Sequence, residues 1–458
     1  MTRAGRVPAS VRSVPRVAVA ATGAVGAVAA GYLTVSSPLA IAAVVLLAAV
    51  LLSPALGLSI VVLADGVAFP FLLSGTSTML VNLVVLGAAL LALPAVFLKG
   101  RKHPAVLWPV AALLAAIVPA TIVGFATLPS MQVVSGLRYI VVPLIAAVIA
   151  STLSDRALRI VLRAVTVEMV VSLGAAIVET TLGSDRLLAL SGVSYGVSIR
   201  NIGETLRAPG TFATNYHLGA FAGVFAVVAM FWWGMLPGAK RDRIWRLVAL
   251  VAAVGCLVLS TYRTGVLVLV IATAVAVLAV RAIPPAAKVA VVVVAAGVAV
   301  AFSAAGLDSS SSLFERFGIW ADLLARGSAP VGSGTGYAGA ASGADAAVRH
   351  IFTDNYYLSL WLQIGAFALV FVAVFAWIAW ALFRAGRRVG RDAAPIAAAA
   401  FALWLGVLAG LAVVELWEYT SAMSLVALVL GATGARIPAR EPGASGFAQI
   451  PSPLGRSR

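Results

Sequence analysis

Residues 204–236 read ETLRAPGTFATNYHLGAFAGVFAVVAMFWWGML, a polar segment that passes into a continuous apolar run. From Gly219 onward this run has no charged side chain, and as a helix it is long enough to cross about 30 Å of hydrocarbon. Similar runs recur in a chain that is 62% hydrophobic and 10% charged, with a mean hydropathy of +1.07. A soluble protein could not bury so much apolar surface. The pattern therefore predicts an all-α, polytopic membrane helical bundle.

The apolar runs predict about 12–14 transmembrane helices. We place them near 17–34, 37–52, 55–73, 79–98, 105–127, 133–152, 158–180, 211–236, 245–261, 264–281, 285–306, 353–383, 393–412 and 415–434. The count is a range because residues 17–98 contain few polar breaks, so some of the first runs could merge.

The same map divides the chain into three parts. We expect a cytoplasmic basic tail at 1–16, a single transmembrane domain at 17–435 and a disordered cytoplasmic tail at 436–458. The transmembrane domain should carry two long outer loops, at about 181–210 and 307–352.

The net charge of +16 is explained by membrane topology, so we infer no nucleic-acid partner. Most Lys and Arg residues lie in clusters between the predicted spans, and neighbouring clusters enclose an even number of spans. All the clusters can therefore face the cytoplasm, with both termini inside. The single cysteine, Cys256, excludes an intrachain disulfide and a cysteine-based metal site.

Eight arginines run against this orientation signal and fall on the predicted outer side. They are Arg138, Arg186, Arg200, Arg207, Arg263, Arg316, Arg326 and Arg349. Arginine binds phosphate oxygens in a fork, so several arginines at one outer mouth would suit a lipid diphosphate. Arg207 precedes a Pro-Gly turn and Arg263 lies in a tight hairpin between two spans, which favours a functional role for both. The alternative is that each arginine pairs with a lipid headgroup or a local acid.

Asp354 is the leading candidate for a general base on this side. It lies where the second outer loop meets a helix that we predict to be continuous over 353–383. Its structural alternative is a helix N-cap. His350 and His217 are the other outer bases, each with a structural alternative of its own. No cluster has the spacing of metal ligands, and we expect no cofactor.

The second outer loop has two distinctive parts. An amphipathic helix with apolar residues at Phe314, Phe317, Ile319, Trp320 and Leu324 should lie on the membrane interface or cover a cavity. The stretch APVGSGTGYAGAASGADAAVRH at 329–350 follows it. Its glycines predict a mobile loop, and the alternative is a loop that folds over a diphosphate-bearing substrate.

Taken in order, five motifs resemble the O-antigen ligase and polymerase superfamily of bacterial membrane glycosyltransferases. They are RYIVVP at 138–143, RAPGTFATNYHLGAF at 207–221, LSTYRTGVLVLV at 259–270, RFGIW at 316–320 with PVGSGTGY at 330–337, and DNYYLSLWLQIG at 354–365. The resemblance covers roughly residues 130–380. In the ligases, a histidine and then Asn, Ser or Gln begin a motif that ends in glycine after nine intervening residues. Here Asn355 and Gly365 keep that spacing, but Asp354 stands at the histidine position. In this respect the sequence looks closer to the exopolysaccharide polymerases.

The resemblance implies a metal-independent transfer of a glycan from an undecaprenyl diphosphate carrier to a glycan or lipid acceptor hydroxyl. The enzyme would act at the outer face of a bacterial plasma membrane, with envelope-assembly proteins as possible partners. Arg207, Arg138, Arg263 and Arg316 would bind the diphosphate, and Asp354 or His350 would assist the attacking hydroxyl. Supporting residues would be Gly210, Asn215, His217, Asn355 and Tyr357.

Two other functions fit parts of the pattern. A transporter or flippase of lipid-linked glycans would also need outer arginines, but should show internal repeats and polar residues deep in its spans. We read the spans as nearly free of both. A non-enzymatic scaffold for envelope assembly fits the apolar bulk but leaves the loop arginines unexplained.

Overall fold

The computed structural model describes residues 50, 53–73, 85–93, 103–191, 201–202, 205–279, 284–286, 288–290, 293, 297, 311–325, 329–343, 351–387 and 394–437. The predicted tail at 1–16 and the predicted span at 17–34 lie outside these residues. So do most of the spans near 37–52 and 285–306 and nearly all of the tail at 436–458.

The described residues form an all-α, multi-pass membrane bundle, as predicted. Seven of their helices are long and apolar enough to cross a membrane, and three shorter apolar helices accompany them. The helices are α1 Pro54–Leu73, α2 Pro104–Thr127, α3 Ser130–Thr152, α4 Asp155–Ser191, α5 Asn215–Val227, α6 Arg243–Ser260, α7 Arg263–Ala279, α8 Ser311–Ala325, α9 Tyr356–Ile364, α10 Ala368–Gly386, α11 Ala394–Val413 and α12 Thr420–Gly434. Within this part of the chain the strands are β1 Asn201–Ile202 and β2 Thr205–Leu206, which pair antiparallel.

Local sequence signals account for several helix ends. Pro104 begins α2, at a position where its missing N–H costs nothing. Thr214 caps α5 by accepting a hydrogen bond from the backbone N–H of His217. Thr261 ends α6 in a left-handed conformation, with φ of 49°. Beyond α5, a π-helical turn at Val228–Trp232 extends the span to Met235.

The two ends of the bundle differ in charge. At one end, Arg163 pairs with the buried Asp242, and Arg436 after α12 pairs with Asp155 at the start of α4. We call this the basic end. At the other end lie Arg207, the turn between α6 and α7, and Asp354, and we call it the Arg207 end. The described basic residues Arg163 and Arg436 therefore lie at the opposite end of the bundle from Arg207. Which end faces the cytoplasm stays a prediction.

The helices bury more polar groups than the sequence pattern indicated. Asp65 on α1 and Arg138 on α3 form an ion pair, with 3.5 Å between Oδ1 and Nη2 and side-chain exposures of 9% and 10%. Gln132 on α3, Glu179 on α4 and Gln363 on α9 are also buried. The prediction that the spans are nearly free of polar residues is therefore wrong. It failed because each polar residue stands alone in its own apolar run and meets its partner on a different helix.

The glycine-rich segment at 329–343 packs against α2, α3 and α9, and we call it the re-entrant loop because its backbone turns back against these helices. The prediction of a mobile loop is wrong for these residues. The N–H of Thr335 donates to the carbonyl of Ala120 on α2, and the N–H of Gly334 donates to that of Gln363 on α9. The side chain of Gln132 donates to the carbonyl of Gly336 at 2.8 Å. Glycine is required because this backbone runs against other backbones. A Cβ on Gly332, whose φ is 77°, would overlap the carbonyl of Gln363.

The helix predicted over 353–383 is interrupted. Helix α9 begins at Tyr356 and ends at Ile364, and a 3₁₀ turn at Gly365–Phe367 leads into α10. Gly365 has a φ of 57° and lies against the carbonyls of Ala329 and Pro330, so the re-entrant loop fills the break. The prediction of one continuous helix is therefore wrong. It rested on the length of the apolar run, in which a single glycine does not by itself indicate a break.

The outer loops keep two features of the prediction. Helix α4 breaks at Gly183, close to the predicted start of the first loop at 181, and a second helical segment continues to Ser191. In the second loop, the predicted amphipathic helix is confirmed as α8. Its Phe317 and Leu324 are each 56% exposed, while Leu323 is buried against Ala338 and Leu358.

Candidate functional site

Arg207 is held at the Arg207 end by the turn between α6 and α7. Its Nε donates to the Thr261 hydroxyl at 2.9 Å and its Nη2 donates to the Thr261 carbonyl at 3.2 Å. The guanidinium also lies over the Tyr216 ring, 5.3 Å from the ring centroid, at a distance where a cation and a π system attract. The structure thus brings together two of the predicted motifs, 207–221 and 259–270, through this one side chain.

An aromatic cluster continues from Arg207 toward the last helix. The Tyr216 and Tyr262 rings are 5.4 Å apart, and the His217 and Tyr419 rings are 4.7 Å apart. The hydroxyls of Tyr262 and Tyr419 form a hydrogen bond of 3.3 Å. Burial raises the pKa of Tyr262 to about 12, and the nearby Asp354 carboxylate contributes to the same shift. The Tyr262 phenol therefore stays protonated at neutral pH, and Asp354 lies near enough to act on it through its charge.

The predicted supporting residues around the Pro-Gly turn have structural partners. The N–H of Gly210, whose φ is 60°, donates to Glu179 Oε2 at 2.8 Å. The buried Asn215 amide donates to the Ser260 carbonyl at 3.2 Å, which fixes α5 to the end of α6. The Thr214 hydroxyl and His217 Nδ1 are 2.8 Å apart. These contacts hold the 207–217 backbone in place beside Arg207.

Arg138 lies deeper in the bundle than the other predicted diphosphate ligands. Besides Asp65, its Nη2 contacts the Thr420 hydroxyl at 3.2 Å. The Asp65 carboxylate in turn accepts from the N–H of Ser421, and the N–H of Asp65 donates to the Ser421 hydroxyl oxygen, both at 2.8 Å. The guanidinium therefore has protein partners within the bundle, and its assignment to a diphosphate stays a prediction.

Asp354 and Arg316, which the sequence assigned to different roles, form an ion pair with 3.3 Å between Arg316 Nε and Asp354 Oδ2. The pair is partly solvent-exposed, at 35% and 40%. Asp354 does not cap the following helix, so its predicted structural alternative is wrong. Asn355 is the cap, and its Oδ1 accepts from the N–H groups of Tyr357 and Leu358 at 3.0 and 3.2 Å. The Asp354 carboxylate is thereby left outside the helix.

The remaining predicted residues divide into three cases. Arg263 begins α7, and its side chain forms no hydrogen bond or ion pair with another residue in the described ranges. The Tyr357 hydroxyl donates to the Leu408 carbonyl at 3.2 Å, so this residue joins α9 to α11. His350 lies outside the described residues, together with Arg200, Arg326 and Arg349.

Sequence reasoning missed two buried acids between α11 and α12. Glu415 Oε1 accepts from the N–H and the hydroxyl of Thr353 at 3.0 and 2.6 Å. Glu418 accepts from the N–H of Ala340 in the re-entrant loop. Both acids lie in the span predicted at 415–434, so the apolar pattern alone gives neither of them a role in chemistry. The available signal was the motif ELWEYTS at 415–421, whose two acids interrupt an apolar run.

Burial raises the pKa of Glu415 to about 7 from an ordinary value of 4.5, although the hydrogen bonds from Thr353 oppose the shift. Burial, followed by repulsion from Glu415, raises the pKa of Glu418 well above that value. The folded state binds the Glu415 proton more tightly than the unfolded chain does. The stability that results from Glu415 is therefore complete below about pH 4.5 and is lost as pH rises through about 7.

We therefore expect the protein in lipid nanodiscs to unfold at a lower temperature at pH 8 than at pH 5. Glu415 alone should make the free energy of unfolding about 2.5 kcal/mol larger at pH 5 than at pH 8, and Glu415→Gln should reduce the shift in unfolding temperature. Scanning fluorimetry at the two pH values measures the unfolding temperature of the wild type and of Glu415→Gln. A pH dependence in Glu415→Gln equal to that of the wild type would contradict the assignment.

The arrangement offers cationic, phenolic and carboxylate groups at one end of the bundle. Among the residues that the structure describes, no group of three or more His, Cys, Asp or Glu could hold a metal ion. The expectation that no cofactor is needed stays a prediction. Comparisons of the chain with protein-family models, with curated proteins and with solved structures found no match.

Proposed function

We propose that the protein transfers a glycan from an undecaprenyl diphosphate carrier to an acceptor hydroxyl at the outer face of a bacterial plasma membrane. It would act as a surface-polysaccharide polymerase or ligase. The donor would be a lipid-linked glycan, the acceptor another glycan or a lipid, and envelope-assembly proteins could take part.

Backbone strain at the two halves of the candidate site is the observation that carries this proposal. Within the described ranges, Thr261 and Asp354 are the two non-glycine residues with positive φ, at 49° and 47°. Thr261 holds Arg207, and Asp354 is the candidate base. Strained residues of this kind persist only where the surroundings enforce them, and they concentrate at active sites. That both lie at the Arg207 end favours chemistry there.

The chemistry follows from the charges. Arg207, with Arg263 beside the same turn, would neutralise the charge that develops on the leaving diphosphate. Asp354 would take the proton of the acceptor hydroxyl as its oxygen bonds to the anomeric carbon. The bond from that carbon to the diphosphate oxygen breaks, and its electron pair leaves with undecaprenyl diphosphate. Attack opposite the leaving group inverts the anomeric centre.

A transporter or flippase of lipid-linked glycans is the second candidate. The buried Asp65–Arg138 ion pair and the helix break at Gly365 favour it, because transporters place charged groups and broken helices within the membrane. The ion pair is also compatible with the transferase, since Arg138 is one of the predicted ligands of the diphosphate.

Deletion of the gene should separate the two functions. A transferase predicts loss of a surface glycan and accumulation of its lipid-linked units on the outer leaflet. A wild-type copy should restore the glycan. An Arg207→Lys copy, which keeps the charge but loses the bidentate fork, should restore roughly a tenth or less. Profiling of surface glycans and of lipid-linked intermediates measures both outcomes.

The control for this experiment is Arg241→Lys, the same substitution at an exposed position on the basic end, which should restore the glycan fully. Units trapped on the inner leaflet of the deletion strain would overturn the transferase in favour of the flippase. Full restoration by Arg207→Lys would remove Arg207 from the diphosphate site.

A further inference from the structure

Thr353, the residue before the candidate base, is fixed through all of its polar atoms. Its N–H and hydroxyl both contact Glu415 Oε1, and its carbonyl accepts from Trp320 Nε1 on α8 at 2.5 Å. Thr353 and Glu415 are buried, at 1% and 5% exposure. Two elements distant in sequence, α8 and the connection between α11 and α12, therefore hold this one residue.

Asp354 itself is constrained by its neighbours on both sides. Its left-handed backbone is uncommon outside glycine, although Asp and Asn adopt it more readily than other residues. Thr353, which precedes it, donates two hydrogen bonds to Glu415. Asn355 follows it and caps α9, and the carbonyl of Asn355 is 2.9 Å from the Thr353 hydroxyl. The direction of the Asp354 carboxylate thus depends on the side chains of its neighbours Thr353 and Asn355. It also depends on Glu415, which holds Thr353.

The burial of Glu415 requires an explanation of its own. No Lys, Arg or His in the described ranges forms a salt bridge with it. A carboxyl group without a cation is costly to bury unless hydrogen bonds satisfy it. In the described part of the chain, its two hydrogen bonds both come from Thr353. An apolar residue would fill the same space without that cost, so the acceptor oxygen is the property that the site uses.

We propose that Glu415 is a positioning residue, which fixes Thr353 and thereby sets the backbone from which the Asp354 carboxylate meets the acceptor. The effect on rate rests on the proposed transferase function, whereas the effect on the 351–358 segment does not.

Three variants test this proposal in nanodiscs. Glu415→Ala removes the acceptor, Glu415→Gln keeps an oxygen that can accept both hydrogen bonds, and Thr353→Val removes the hydroxyl alone. Two quantities are measured: hydrogen exchange of the 351–358 amides, and the kcat and KM for release of undecaprenyl diphosphate. The donor is the lipid-linked glycan extracted from the deletion strain.

Glu415→Ala should raise the exchange of these amides and lower kcat, each by about tenfold or more, with KM changed by less than about twofold. Thr353→Val should give a smaller change in the same direction, and it decides the question if Glu415→Ala does not fold. Glu415→Gln should stay within about threefold of the wild type. Thr433→Val is the matched control: it removes the hydrogen bond from Trp232 Nε1, far from the site, and should change neither quantity.

Unchanged exchange and kcat in Glu415→Ala, or in Thr353→Val if the first variant does not fold, would overturn the positioning role and leave the transferase intact. A Glu415→Gln variant as slow as Glu415→Ala would also overturn it, because the charge would then be the property used. If the wild type releases no undecaprenyl diphosphate, the transferase fails. Hydrogen exchange alone then decides whether Glu415 positions the segment.

Discussion

Replacement of Asp354 by asparagine is expected to lower the rate of glycan transfer about 10²–10⁴-fold, the usual contribution of a general base. Asparagine has nearly the same shape and tolerates the left-handed backbone at this position, so the local conformation should persist. The ion pair with Arg316 is lost, but a partly exposed pair of this kind contributes only about 1 kcal/mol or less. The expected loss is therefore chemical rather than structural. Release of undecaprenyl diphosphate in nanodiscs measures it.

Asp322 on α8 provides the control for Asp354. It is an exposed acid, and Asp322→Asn removes one negative charge by the same replacement of a carboxylate with an amide. This variant should keep the wild-type rate. If Asp354→Asn retained more than about a tenth of that rate, Asp354 would not be the base, and His350 would become the leading candidate.

Gly332→Ala is expected to have the largest effect on stability. The left-handed φ of Gly332 alone disfavours alanine, and the added Cβ would overlap the backbone at Gln363, which cannot move aside as a side chain could. Together these effects should cost about 3–5 kcal/mol. The thermal midpoint in nanodiscs and the yield of monodisperse protein measure the loss.

Gly318→Ala is the matched variant with the opposite expectation. Gly318 lies in α8, and a Cβ added there meets nothing within 4 Å. Alanine favours a helix over glycine by up to about 1 kcal/mol, so this variant should be neutral or slightly more stable. Equal behaviour of the two variants would show that the re-entrant loop is not held as described.

The fold class could be predicted from the sequence because an apolar run long enough to span a membrane has few alternatives to a helix. The alternation of basic clusters likewise placed Arg207, Arg263 and Asp354 at one end. Both arguments use properties of long segments, and both hold in the described part of the chain. The amphipathic pattern of α8 was long enough to be read in the same way.

The interior of the site could not be predicted, because it depends on single residues that meet across the bundle. Asp65 stands alone in its run, and nothing local indicates that Arg138 is its partner. The glycines at 332–336 suggested motion, yet they allow a backbone to pack against α2 and α9. Glu415 and Glu418 were read as part of a span, whereas they form the connection that fixes Thr353 and Ala340. Pairings of this kind become visible only when helices are placed side by side.

The reach of these pairings has a consequence for biogenesis. Asp65 and Ser421 are 356 positions apart, and the re-entrant loop is tied to Glu418 in the connection before α12. During synthesis, α1 would enter the membrane long before its carboxylate can meet Ser421, and the loop would lack its last anchor until α12 is inserted. Assembly of the site therefore waits until the connection before α12 has been synthesised and α12 has been inserted. A chain truncated before residue 415 would contain most of the helices, but Asp65, Thr353 and Ala340 would lack their partners in residues 415–421.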